Sequence, residues 1–351
     1  MIKSGLVKKY TEPEYRKLPN LSYSGLAGVD KNPANLLNNG FKMTKSMIYG
    51  SVVDCLLFDG QEDFKEKYAI LEYDGPTDTV KDIVDAVYSS YIETKGSFLF
   101  SKDATLKSLS DTVLRLARQM EYGAKNWKDE TIVNKIINEG GNEYFNFLQE
   151  NIDKVVVDPW MYERAINSIE TLTNHEFSKK YLVPEHEDIE IHFQYPIDWV
   201  YDGVPCKSLL DILYIDHREK QIIPVDLKTT YDNVLMFPPN YVKWKYYIQA
   251  AFYSKAVSYL KLEYPNIFNY SVEQFRFMVI SSTDTKRPLV WMTSKNDIVA
   301  GELGGVIQSD NQYVKGFKQL IEEYKWHIKT EQYDFPKEAY ELNGHLKLNV
   351  F

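Results

Sequence analysis

Two aspartates and a lysine stand where the chain would otherwise place apolar residues. In the stretch Lys207–Thr230, KSLLDILYIDHREKQIIPVDLKTT, Asp211 interrupts the run Leu209–Ile215, and Asp226 and Lys228 interrupt a second run that begins at Ile222. The polar cluster Asp216-His217-Arg218-Glu219-Lys220 separates the two runs, the pattern of two buried strands joined by a turn. Asp226 and Lys228 are two apart, so a pleated strand points both to one face. An unpaired buried charge costs too much free energy to persist, so these groups either neutralise one another or hold a ligand. One alternative is structural: an ion pair between Asp226 and Lys228, with Asp211 as a capping residue. The other is phosphodiester hydrolysis. Two carboxylates suit a hard, oxygen-seeking cation such as Mg2+, or Mn2+ in its place. A lysine beside them would orient or help deprotonate the attacking water and offset charge on the phosphate.

The surrounding pattern supplies elements to hold these groups. Strands are predicted over Ile189–Tyr195, Val204–Ile215 and Gln221–Thr229, with Glu190 on the first and Asp211, Asp226 and Lys228 on the others. A helix over Tyr241–Leu260 follows, on which Gln249 and Tyr253, four apart, share a face. From Tyr241 to Leu262 there are four lysines, Lys243, Lys245, Lys255 and Lys261, and no acidic residue, with Trp244 and tyrosines between them. That composition suits either a nucleic-acid surface that stacks on bases or the solvated side of a packing helix. Further strands are predicted over Gln274–Ser281 and Pro288–Thr293. Near the N-terminus Ser22 or Ser24 caps a helix that Pro33 interrupts; Ser24, Asn35 and Asn38 are polar enough to meet phosphate, although capping is the commoner use. A helix over Ser46–Phe58 carries Asp54 among Val52, Val53, Leu56 and Leu57, an unusual interior position that favours a ligand or hydrogen-bonded role. Residues 80–175 read as an all-helical insertion, with Gly140-Gly141 as a break, and 311–329 as an amphipathic helix.

The spacing from Asp211 to Asp226-Leu227-Lys228 resembles the signature of the PD-(D/E)XK nuclease superfamily. Two additions sharpen the likeness: Gln249 and Tyr253 in YYIQAAFYSKA resemble the Q-x-x-x-Y helix of the RecB-like and lambda-exonuclease-like branch, and Glu190 in IEIHFQY is placed like the extra acidic residue of a preceding strand. The RecE-type recombination exonucleases of phages and prophages (exodeoxyribonuclease VIII) are similar over about Tyr10–Ser282. Their G-T-A-x-H-C segment has its counterpart in Gly50-Ser51-Val52-Val53-Asp54-Cys55, where the family's histidine is Asp54.

The resemblance implies an α/β fold with a central mixed sheet flanked by helices. It implies one domain over 1–351: N-terminal helices (20–60), the helical insertion (80–175), the catalytic sheet and Q-x-x-x-Y helix (186–295), and a C-terminal helix and tail (311–351). It implies a Mg2+-dependent exonuclease digesting linear duplex DNA from the 5′ end and leaving a 3′ strand for an annealing protein. Processivity would come from a ring of three or four subunits. By the same resemblance Asp54, Asp211, Asp226 and the Leu227 carbonyl would hold metal, and Glu190 would add a ligand or position water. Lys228 would stabilise the nucleophile, and Gln249 and Tyr253 would position the phosphate or Lys228; from residue type and local charge alone, Ser24, Lys243 and Lys245 are the candidates to touch DNA. The alternatives are a single-strand or structure-selective nuclease on the same fold, and a DNA-binding or assembly protein that has lost turnover.

Composition narrows the classes further. In 351 residues, 44% apolar with 14% aromatic, there is material for a substantial core. Two cysteines are too few for a disulfide framework or a four-cysteine cluster, and the six histidines lack zinc spacing. No glycine-rich phosphate loop implies ATP use, and no apolar run reaches membrane-spanning length, so a cytoplasmic protein without ATP or membrane partners is expected. A net charge of -9 argues against a broad DNA-coating surface and leaves local charge to do any binding.

Overall fold

The computed structural model describes residues 3–37, 43–73, 75–95, 103–309, 311–346 and 348; Asn38 lies outside them. The chain divides into two compact units, residues 1–58 with 164–351, and residues 59–163. The smaller unit therefore begins at Asp59 rather than near residue 80, and it is not all-helical. Strands Tyr68–Ile70 and Val155–Val157 pair in parallel, each too short to leave a periodic trace in the sequence. Its core gathers Ile83, Val84 and Val87 of helix Asp78–Glu93 with Leu106, Val113, Ile132 and Phe145. The helical stretch breaks where Gly140 adopts φ +87°, a conformation that suits a residue without Cβ.

The larger unit is built on a mixed sheet flanked by helices. Helix α1 (Tyr23–Lys31) is capped by Ser22, and α2 (Lys45–Asp54) by Thr44. Strands β1 (Ile189–Tyr201), β2 (Val204–Asp216) and β3 (Gln221–Thr230) form an antiparallel meander. The β1–β2 turn is Asp202-Gly203, both at positive φ, the backbone that a two-residue hairpin needs. After β3 come α3 (Phe237–Lys243) and α4 (Tyr246–Leu260), then β4 (Ser271–Val272), β5 (Arg276–Ser281) and β6 (Leu289–Met292). The sheet order is β1-β2-β3-β5-β6, with β4 also beside β3. Because β5 runs parallel to β3, the chain must cross over between them, and α3 and α4 supply that crossover.

The crossover fixes the core. Ile248, Ala251, Phe252 and Ala256 of α4 pack on Leu213, Ile215 and Ile222 of the sheet and on Trp199. The single helix expected over 241–260 is broken at Lys245, whose φ is +59°. Helix α2 packs against β3: a Cβ on Gly50 would stand 3.1 Å from Thr229 Oγ1, so glycine permits the close approach. The helix turns π-helical over Cys55–Asp59. Of the amphipathic segment expected from 311, only Phe317–Thr330 is helical, since Tyr313–Val314 pairs with Gly305–Val306 as a short ladder. Among the described residues no helix is long and apolar enough to cross a membrane.

Candidate active site

The β2–β3 ladder ends with Ile212 opposite Val225, so the next step brings Asp211 across from Asp226. Asp226 is only 3% exposed. Its Oδ1 accepts a hydrogen bond from Gln249 Nε2 at 2.6 Å, and its Oδ2 lies 2.5 Å from Lys228 Nζ, an ion pair whose angles leave Oδ2 without a directed hydrogen bond. Lys228 Nζ also sits 4.8 Å from the centre of the Tyr246 ring, within cation–π range. Asp211 is held from two strands: Gln194 Nε2 donates to Oδ1 at 3.1 Å and the Leu227 N–H donates to Oδ2 at 2.9 Å. Helix α4 delivers Gln249 because Tyr246, Gln249 and Tyr253 recur at helical spacing. The Tyr253 ring packs edgewise against Tyr23 and Phe275, and burial raises its hydroxyl pKa well above the usual value.

Two carboxylates share this place with one ammonium, Asp226 buried and Asp211 and Lys228 half-buried. Burial, reinforced by the neighbouring Asp226 charge, pushes the Asp211 carboxyl up to about 7, against the opposing pull of Lys228, the Leu227 N–H and Gln194. Burial pulls the Lys228 ammonium down, but Asp226, Tyr246 and Asp211 together outweigh it and hold the lysine well above its ordinary value. In this metal-free arrangement the lysine is held as a cation, suited to orienting water and offsetting charge on the phosphate. Negative charge remains in excess, and Gln249 Oε1 is buried without a hydrogen-bond partner among the described residues. A hydrated divalent cation fits that combination: Mg2+ commonly uses one or two carboxylates and fills its remaining positions with water and substrate oxygens.

The wider ligand set is not assembled. Asp226 and Lys228 alternate with Leu227 and Thr229 across the pleat, and α2 packs on Thr229. Phe58, just beyond α2, meets Phe193, which is paired with Ile212. Asp54 lies one turn after Gly50 on α2, the helix that packs on Thr229. Among the described residues no three His, Cys, Asp or Glu side chains converge closely enough to hold a metal ion. Leu227 stays beside the pair through its N–H.

Glu190 also stands apart. It lies four residues before Gln194 on β1, roughly 13 Å along an extended strand. There it accepts hydrogen bonds from the Ser4 N–H at 3.2 Å and from the Ser4 hydroxyl, with His192 Nε2 at 3.4 Å and His217 Nε2 at 3.6 Å. The basic stretch is largely committed to the protein itself. Lys245 is ion-paired with Asp30, Lys255 with Glu302 at 3.1 Å, and Lys261 donates to the Tyr270 carbonyl at 2.7 Å. Lys243 has neither a carboxylate nor a carbonyl partner among the described residues; its Nζ lies over the Trp244 ring at 4.9 Å. Ser24 is an exposed residue of α1, its hydroxyl 2.9 Å from that of Ser22.

The structure thus groups Asp211, Asp226, Lys228 and Gln249, with Tyr253 one turn away, and adds two residues not foreseen, Gln194 and Tyr246. A polar residue within the strand pattern IEIHFQY, and an aromatic three before Gln249 on its helix, were the available signals.

Neither a family model nor a curated protein sequence matches the chain. Among solved structures it is similar to a chain from Eubacterium rectale described as a "putative exonuclease", at 11% identity and a TM-score of 0.35, over 89% of this chain and 97% of that one. A likeness at that level carries no argument about function, which rests on the site.

Proposed function

We propose that the chain is a divalent-cation-dependent nuclease that hydrolyses DNA phosphodiesters. The observation that carries this reading is the pair Asp211 and Asp226, the first half-buried and the second buried, facing one another beside the Lys228 ammonium. A Mg2+ or Mn2+ ion held by Asp211, Asp226 and the Leu227 carbonyl would supply the Lewis acidity and activated water that the reaction needs. The protein's own groups do the rest. Lys228 keeps its proton and stabilises negative charge gathering on the phosphate. Gln249 fixes Asp226 through Oδ1 and presents Oε1 as an acceptor for water. Tyr246 holds the Lys228 ammonium in place, and Tyr253 closes the apolar side of the site.

In finer detail, the proposed enzyme is an exonuclease of RecE type that digests linear duplex from the 5′ end and leaves a 3′ single strand for an annealing partner in phage-type recombination. It would work in the cytoplasm as a ring of three or four subunits. The sequence motif supports this reading, since Asp211, Asp226, Lys228, Gln249 and Tyr253 all match it. Incubating closed circular and linear DNA with Mg2+ tests the mode. The linear form should disappear while the circle survives; a cleaved circle would make the enzyme an endonuclease.

A further inference from the structure

Among the described residues, Gln194 is the non-glycine residue with left-handed backbone that lies inside a strand. It has φ +44° in the middle of β1, whereas Asp202, Lys220, Glu331 and the others with positive φ occupy turns, loops or helix ends. That conformation is uphill for a side chain with a Cβ and persists where the surroundings over-determine it. The ladder shows what replaces regular pairing. Phe193 is opposite Ile212 and Tyr195 opposite Leu210, yet the pair between them, Gln194 and Asp211, is missing from the ladder. In its place Gln194 Nε2 donates to Asp211 Oδ1 at 3.1 Å while the Leu227 N–H, on the neighbouring strand, donates to Oδ2 at 2.9 Å. Each carboxylate oxygen keeps acceptor capacity beyond these bonds.

We propose that Gln194 is a positioning residue for Asp211, its strained backbone retained so that its amide sets the orientation of the carboxylate for cation binding. The proposal rests on reading Asp211 and Asp226 as a cation site. Gln194 itself touches neither substrate nor cation; it acts through Asp211. A glutamine here is an outer partner of a ligand, and removal of such partners typically weakens metal binding by about 10–100-fold.

Two substitutions separate the backbone from the amide. Gln194→Gly relaxes the left-handed position and removes the donor; Gln194→Leu removes the donor but keeps the strain. Each full-length protein is titrated with Mn2+ alone, and the unfolding temperature is followed from chelator to saturation. In chelator Gln194→Gly should melt above Gln194→Leu, because both lose the donor and only glycine adopts positive φ without strain. Both should need about 10–100-fold more Mn2+ to reach half of the wild-type shift. Variants that respond at the wild-type concentration would make Gln194 merely structural and overturn the proposal, as would a Gln194→Gly protein that melts below Gln194→Leu. A wild-type protein with no Mn2+-dependent shift would instead remove the cation site, and the positioning role with it.

Discussion

Glu190 and Asp211 lie on neighbouring strands of one sheet, and both accept hydrogen bonds from the protein, yet their protonation is driven in opposite directions. Burial alone would raise the Glu190 pKa, but the Ser4 hydroxyl and N–H, His192 and His217 outweigh it and hold the carboxyl below its usual range. Asp211 is also given two donors, and burial together with the Asp226 charge still pushes it up to about 7. The difference is the neighbour: Glu190 is surrounded by donors, whereas Asp211 faces a second carboxylate. The first arrangement ties the N-terminal segment to the edge of the sheet. The second leaves a charge imbalance that a divalent cation would correct, and perturbed carboxylates of this kind mark functional-site candidates.

The comparison is broken most directly by exchanging the roles. Lys228→Ala should slow hydrolysis by at least about 100–1000-fold, the usual cost of losing one preorganised electrostatic group. Glu190→Gln should leave the rate near that of wild type and lower stability by about 1–3 kcal/mol in urea unfolding, since it weakens charge-assisted bonds to Ser4. If Glu190→Gln abolished hydrolysis at unchanged stability, the two ends of the sheet would be one site.

Their pH dependences should differ in sign. In metal-free protein the folded-state pKa of Asp211 is about 7 against an ordinary value of 3.8. Its contribution to stability is therefore full below the ordinary value and is lost as pH rises through 7. Glu190 is depressed from 4.5, so its contribution is present above that value and is lost as acid protonates the folded carboxylate. Melting curves in chelator should fall between about pH 4 and 7 for the wild type and flatten in that range for Asp211→Asn. Glu190→Gln should flatten only the acid limb.

A smaller contrast concerns the two lysines before α4. Lys245→Ala should cost about 1 kcal/mol of stability by stripping Asp30 of a partly buried partner. Lys243→Ala should leave stability unchanged and reduce the salt dependence of DNA binding by about one phosphate contact, read from affinity against salt concentration. Equal salt slopes for wild type and Lys243→Ala would return α3 to a packing role.

Much of the site was legible because its members are close in sequence. Asp226 and Lys228 share a strand face by the two-residue period, Asp211 is one hairpin away, and Gln249 follows on the crossover helix. Relations across the sheet were not legible. Gln194 meets Asp211 only through the antiparallel register of β1, and Glu190, placed at the site by its likeness to an acidic residue of a preceding strand, lies roughly 13 Å along β1 from Gln194. The lysine-rich stretch looked free because the partner of Lys245, Asp30, is far away in sequence. The strand-helix-strand order was readable from periodicity, but the short strands at 68–70 and 155–157 were not, since three residues cannot establish an alternation.

The central claim is that the Asp211, Asp226 and Lys228 group hydrolyses DNA with a divalent cation. Its most direct test is a linear duplex carrying different labels at its 5′ and 3′ ends, incubated with wild type or Asp226→Ala in Mg2+, Mn2+ or chelator. Stepwise loss of the 5′ label that requires the cation and vanishes in Asp226→Ala is the predicted result. A duplex that stays intact with wild type under both cations, or that Asp226→Ala digests equally well, would contradict it.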